Sequence, residues 1–225
     1  MRRNPKWLCL IFAALVSAVL VGCAAPSASF NLRVQNIDPR FSAVALAGGG
    51  DIAVLPFMTS RGPIVGGDFG TDEIYDMLKK LRPDLKFVPR EVFERSFPPR
   101  FDRRRLTNFY GWIFDGVADS VASMDSLWGF VEQQYLLVFA IADGAVVHGL
   151  NDSYYKHVRV TCEVWCRRTR RAVWQSSCMG VSDDSRMEER DLLAESVRRI
   201  IEAIPAASPT TTGNPAPRLN TGERR

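Results

Sequence analysis

Histidine is scarce in this 225-residue chain, which has two, His148 and His157, and neither stands in a nucleophile or general-base signature. Ser120, Ser123 and Ser126 lie outside any G-x-S-x-G elbow, so a serine-hydrolase triad has no frame. A phosphate-cradling loop is also missing. Gly66, Gly67 and Gly70 precede a helix-like stretch, but no Lys follows them, and Asp68, Asp72 and Glu73 would repel phosphate. A basic excess is absent where a nucleic-acid binder needs one: of the formal charge of +4, residues 1–22 hold +3 and residues 205–225 hold +2, which leaves −1 for the rest. The electrostatic footprint of a nucleic-acid partner belongs on the folded domain, so that class is excluded. Long apolar runs are absent except Trp7–Val21, which is too short for a confident membrane span.

What is there begins with that run. Arg2, Arg3 and Lys6 precede it with no acid, which gives the charged start and short apolar centre of an export signal. It ends in Leu20-Val21-Gly22-Cys23 where an ordinary signal would end in an A-x-A site. The tetrapeptide resembles the bacterial lipobox. That resemblance implies cleavage before Cys23, a diacylglycerol on its thiol and an acyl chain on its new amino group, with no other cofactor expected. Several chains anchor far more firmly than one, at about 0.8 kcal/mol per buried CH₂. Ala24, where an Asp would retain a lipoprotein at the inner membrane, implies transfer to the outer membrane, facing the periplasm.

Residues 23–46 read as a leader after the lipidation site. The stretch is either a flexible spacer or, through the alternation Asn31-Leu32-Arg33-Val34, an edge strand laid on the fold. Residues 205–225, rich in Pro, Thr, Ala and Gly, carry too few large apolar side chains to order themselves and are expected to be disordered. Between them, residues 47–204 have the length of one ordinary domain with a proper core. No internal repeat is visible.

The domain opens on "DIAVLPF", residues 51–57, an apolar run of the kind buried on both faces of a sheet. Thr71-Asp72-Glu73 offers a cap and two first-turn acids for a helix with Ile74, Met77, Leu78 and Leu81 on one face, and Pro83 stops it. "LKFVPR" is a short strand and "EVFERSF" a short helix. Val117, Val121, Met124, Trp128 and Val131 mark a helical face. "YLLVFAIADG" is the most apolar strand. "YKHVRVTCEVWC" follows, with Val158, Val160, Cys162, Val164 and Cys166 on one side, and makes a hairpin through "RRTRR" with "AVWQSSCMGVS". An amphipathic helix with Leu193, Val197, Ile200, Ile201 and Ile204 inward closes the chain. The fold class is α/β of the α+β kind: a single mixed β-sheet domain flanked by helices, with a C-terminal hairpin followed by a helix.

This order, carried by "DIAVLPF", "TDEIYDMLKKL", "FVPREVFERSF", "QQYLLVFAIADG" and "RRAVWQSSCMGVS", resembles the periplasmic α/β domain of envelope lipoproteins: LpoB-type penicillin-binding-protein activators, the periplasmic part of CsgG-type curli secretion lipoproteins, and the TolB amino-terminal domain. The resemblance covers residues 51–204. A curli-type channel needs extra alternating segments of about ten residues each to build its barrel, and the chain has no spare length for them.

Cys162, Cys166 and Cys178 with His148 and His157 suggest a metal cluster only at first sight. Cys162 and Cys166 lie about 13 Å apart along a strand at roughly 3.3 Å per residue, too far to share one ion. A Cys162–Cys178 disulfide suits an oxidising compartment. A three-residue loop at Thr169-Arg170-Arg171 would set the two opposite each other. A turn centred on Thr169 would set Cys162 opposite Ser176, with the pair on a diagonal of about 7–8 Å. Buried thiols packing as small hydrophobes are the third alternative. Asp183-Asp184 and Glu188-Glu189 read as a solvated acidic approach to the last helix. "FPPRFDRRRLTNFYGW" has two readings: an irregular helix whose Phe109, Trp112 and Phe114 are core and whose Arg103, Arg104 and Arg105 face water, or a partner site, since Arg and aromatics are the hot-spot types.

The sequence therefore points to a lipid-anchored periplasmic module that binds another envelope protein without chemistry of its own, as activator of a machine such as a peptidoglycan synthase. A structural accessory of a secretion or surface-polymer system, with self-association into a homo-oligomer left open, is one alternative. A cell-envelope hydrolase is another.

Overall fold

Tyr135–His148 (β6) has six buried residues in a row, from Tyr135 to Ala140, because both sides of its first half are covered. The computed structural model describes residues 27–42, 46, 48, 50–59, 62–63, 69–99, 101, 103–115, 125, 127–148 and 154–205. Ser29–Asn36 (β1), Ile52–Val54 (β2), Met58–Thr59 (β3), Gly62–Pro63 (β4), Phe87–Val88 (β5), β6, Tyr154–Cys166 (β7) and Arg171–Ser182 (β8) form one mixed sheet. Its order is β1-β8-β7-β6-β2-β5, with β3 continuing alongside β6 and β4 beside β3. β2 runs parallel to β5 and β6, and β6, β7, β8 and β1 are successively antiparallel. The residues from Ile52 to Met58 are all buried, as the run "DIAVLPF" requires. Pro56 has no N–H to give the ladder, and pairing breaks there before β3 resumes it.

One face of the sheet packs against Thr71–Leu81 (α1) and Glu189–Ala203 (α4), through Ile74 and Leu78 of the first and Leu192, Val197, Ile200 and Ile201 of the second. The other face packs against Arg90–Arg95 (α2) and Arg103–Asp115 (α3), but only at the β6-β2-β5 end. Alternation along β7 is therefore real: Val158, Val160, Cys162, Val164 and Cys166 enter the first core, while Arg159, Thr161 and Glu163 face the side that the helices leave open. Among the described residues no helix is long and apolar enough to cross a membrane.

Three expectations need amendment. The cap of α1 is Gly70, whose N–H donates to Glu73 Oε2 at 2.8 Å; Thr71 is the first helical residue, and its Oγ1 accepts from the Phe57 N–H at 2.9 Å. Arg103–Asp115 is a regular helix, since Leu106, Phe109, Tyr110 and Ile113 recur on one face and are buried. Of the face drawn through residues 117–131, Trp128 and Val131 are buried in the second core, whereas Val117, Val121 and Met124 lie outside the described residues.

Residues 29–36 settle the choice left open for the leader: they are an edge strand, so the sheet begins ahead of residue 47. What holds β1 down is specific. Phe30 lies directly opposite Gly180, where a Cβ would come within 2.9 Å of its ring, and Arg199 covers the ring at 4.6 Å. Ser182 Oγ donates to the Ser27 carbonyl at 2.5 Å, and Ser176 Oγ to that of Arg33 at 2.9 Å. Gly180→Val is accordingly expected to lose about 1–3 kcal/mol by overpacking. Trypsin cleavage after Arg33 should accelerate in the variant, because its β1 detaches first.

Candidate functional site

The β7–β8 turn is built almost entirely of arginine, and the fold places it at the edge of a broad groove. Arg170 takes a left-handed φ of 55°, and its N–H bonds back to the Cys166 carbonyl at 2.8 Å, which closes the turn. Arg167 is held on the neighbouring segment: its N–H donates to the Gln134 carbonyl at 2.9 Å and its guanidinium to the Glu132 carbonyl at 3.2 Å. The groove, about 1020 Å³, runs between this turn, the start of β6, residues 128–134 and the segment 38–41 that follows β1. Arg40, Arg167, Arg168 and Arg170 line it against Asp38, Asp51 and Glu132. Arg170 is paired with Asp125, and Asp51 with Lys86 at 2.6 Å; no ion pair is seen for Arg40 or Arg168 among the described residues.

The floor is aromatic. Tyr135 meets Phe41 edge-on at 5.8 Å, and Trp128 stacks on Trp165 at 6.5 Å. Burial pushes the Tyr135 phenol up, helped by the Cys166 thiol beside it, while Gln134 and Arg168 oppose the shift. Two polar atoms among the lining residues are buried without a hydrogen-bond partner, the Trp128 indole Nε1 and the Gln133 Oε1. A buried unpaired donor or acceptor costs about 1–3 kcal/mol.

A second groove of about 730 Å³ lies between α2 and α3. Two of its charges pair with one another. Arg90 bridges Glu94 at 2.7 Å, the Tyr110 hydroxyl donates to the same carboxylate at 3.0 Å, and burial raises the Tyr110 pKa well beyond its ordinary value.

The residues singled out from sequence scatter. Phe109 is fully buried against Phe97 and Trp128, and Trp112 is half-buried between Trp128 and Trp165; helical periodicity drew both into the second core. Arg104 and Arg105 are exposed on α3, with Arg105 at 5.6 Å over the Phe101 ring, and the Arg103 side chain lies outside the described set, as does Cys23. The thiols of Cys162, Cys166 and Cys178 are free and buried, with Cys162 opposite Ser176 and Cys178 opposite Val160, the diagonal arrangement. Burial raises the Cys162 and Cys178 pKa values. All three thiols should thus resist a thiol reagent such as DTNB at pH 8 in the folded protein and react once urea unfolds it. Among the described residues no group of three or more His, Cys, Asp or Glu side chains is placed to hold a metal.

The groove's arginines were missed as site residues because "RRTRR" also reads as an ordinary solvated turn; the one available signal was four arginines in five residues at a hairpin tip. No protein-family model matches the sequence, and no curated protein does at a significant level. Solved structures with some likeness include a PelC dodecamer from Paraburkholderia phytofirmans, 12% identical over 80% of this chain and 100% of that one, with a TM-score of 0.44. Lipoprotein GNA1162 from Neisseria meningitidis is 13% identical over 67% and 94%, at 0.36. The LpoB C-terminal domain from Salmonella enterica is 12% identical over 62% and 84%, at 0.30. These TM-scores are too low for any function to be transferred.

Proposed function

We propose that the chain is a lipoprotein tethered through Cys23 to the periplasmic face of the outer membrane, and that its domain binds another envelope protein as an accessory or activator. The observation that carries this is the seam at Cys23: a basic start, a short apolar run and Leu20-Val21-Gly22-Cys23, six residues ahead of the strand that joins the sheet. The groove supports the binding half of the reading. Arginines, amides and aromatic rings converge there, which are the side-chain types of recognition surfaces. The domain would act by contact and by biasing its partner's conformation, within reach set by the leader.

Two measurements test it. Radiolabelled palmitate should enter the wild-type chain and not Cys23→Ala, and the variant should move from the outer-membrane fraction to the soluble periplasm. Cross-linking in whole envelopes followed by affinity capture should then recover the same envelope protein repeatedly. Unlabelled wild-type chain would overturn the anchor, and absence of a reproducible partner would overturn the accessory role.

A further inference from the structure

We infer that the arginine-lined groove at the β7–β8 turn binds an extended, acidic peptide segment of the partner, at the end of the domain remote from the anchor. This rests on the anchored reading above and adds to it a site and a ligand chemistry. Four observations converge on it.

The groove's cations outlast its internal pairing. With Arg170 and Asp51 already engaged, Arg40, Arg167 and Arg168 remain against Asp38 and Glu132, and Arg171 adds a further exposed cation beside them. Guanidinium matches a carboxylate in planar, two-point fashion, which favours Asp and Glu side chains over a diffuse negative surface.

A peptide in extended form can set acidic side chains against the arginines along the groove. The groove's volume of about 1020 Å³ is enough for several residues rather than a single small anion.

The opposite end of the sheet has an acidic excess. Asp143, Asp183, Asp184, Glu188, Glu189 and Asp191 lie there, beside the start of β1, against Lys156, Arg186 and Arg190, and the Ser27 N–H also reaches Asp184. An acidic segment is repelled at that end and attracted at the arginine end, so its approach has one direction.

Membrane lipid is the rival source of anions, and the chain geometry disfavours it. Ser29 is opposite Val181, near one end of β8, while the arginine turn enters β8 at the other, about 33 Å away at roughly 3.3 Å per residue. The link from Cys23 to Ser29 spans at most about 20 Å. The arginine end therefore cannot be set down end-on on the membrane that holds Cys23.

The test uses the full lipidated chain in detergent micelles and, in parallel, anchored in neutral phosphatidylcholine vesicles, with a fluorescein-labelled octaglutamate as probe and fluorescence anisotropy as readout. Octaglutamate is expected to bind, equally in micelles and on vesicles, and to weaken as salt rises. The Arg40→Glu/Arg168→Glu variant, altered at exposed positions, should bind about tenfold more weakly or less well still. Several results would overturn the inference: no octaglutamate binding, equal binding by the groove variant, or loss in Arg104→Glu/Arg105→Glu with retention in the groove variant, which would move the site to α3. Stronger binding of an oligogalacturonate than of octaglutamate would replace the peptide by an acidic polysaccharide, and loss of binding on vesicles would mean that the groove is turned to the membrane. The same titration on Cys23→Ala separates the two levels. Groove-dependent binding by Cys23→Ala beside a wild-type chain that takes up no palmitate would leave the site standing and the anchor refuted, whereas normal palmitate labelling without octaglutamate binding would do the reverse.

Discussion

Trp174→Ala is expected to cost about 3–5 kcal/mol of stability, a large share of the roughly 5–15 kcal/mol that holds a domain together. Trp174 is completely inaccessible and heads the largest fully buried side chains. It sits on β8 opposite Asn36 of β1 and Val164 of β7, in the core that α1 and α4 cover, so the cavity left behind would open between strands that cannot close over it. Its indole N–H has no partner among the described residues. That gives the experiment an internal comparison, because Trp174→Phe keeps most of the ring and removes an unpaired donor whose burial itself costs about 1–3 kcal/mol. Urea titration should show a far smaller loss for phenylalanine than for alanine. Equal losses would mean that the N–H, not the ring, carries the effect.

The second large effect is expected at Arg82. Its side chain is 6% exposed and forks onto Asp84, with Nε to Oδ1 at 2.8 Å and Nη2 to Oδ2 at 2.7 Å. The same guanidinium caps the end of α4, donating to the Ile204 carbonyl and, at 2.9 Å, to that of Pro205. Arg82→Met should therefore lose about 2–3 kcal/mol, less than a wholly buried pair would because Asp84 is 37% exposed and partly screened. The loss should depend on pH. Arg82 holds the Asp84 carboxyl below the usual carboxylate range, so the folded chain releases that proton more readily than the unfolded one. The stabilisation is fully present above the ordinary Asp value of about 3.9 and fades as pH falls through the depressed folded value. The gap in urea midpoint between wild type and Arg82→Met should be widest at pH 7 and narrow as pH falls below about 4, leaving the part that comes from the Ile204 and Pro205 carbonyls.

How much of this could be read from the sequence depended on whether the signal was local. The alternation of β7 and the stripe of α4 each lie within one element, and both were legible residue by residue. The segment 29–36 was ambiguous for the same reason: alternation showed that it could pair, but the feature that fixes it, a glycine opposite Phe30, lies some 150 residues away. α3 was obscured by its composition. Arginines and aromatics carry the same weight in a surface patch and in an amphipathic helix, and only the second core distinguishes them. The groove was not legible at all. It joins the segment after β1, the approach to β6 and a hairpin turn, and what makes those residues a site is that the sheet brings them to one end.

β1 also constrains assembly. It is the outermost strand of the sheet, eight residues long, with Leu32 and Val34 more than a third exposed. A two-fold axis that joins such a strand to its own copy makes the pair antiparallel. For a chain acylated at Cys23, that arrangement would send the two acyl groups to opposite ends of the continuous sheet, so two copies held in one leaflet could pair in this way only with the shared sheet lying along the membrane.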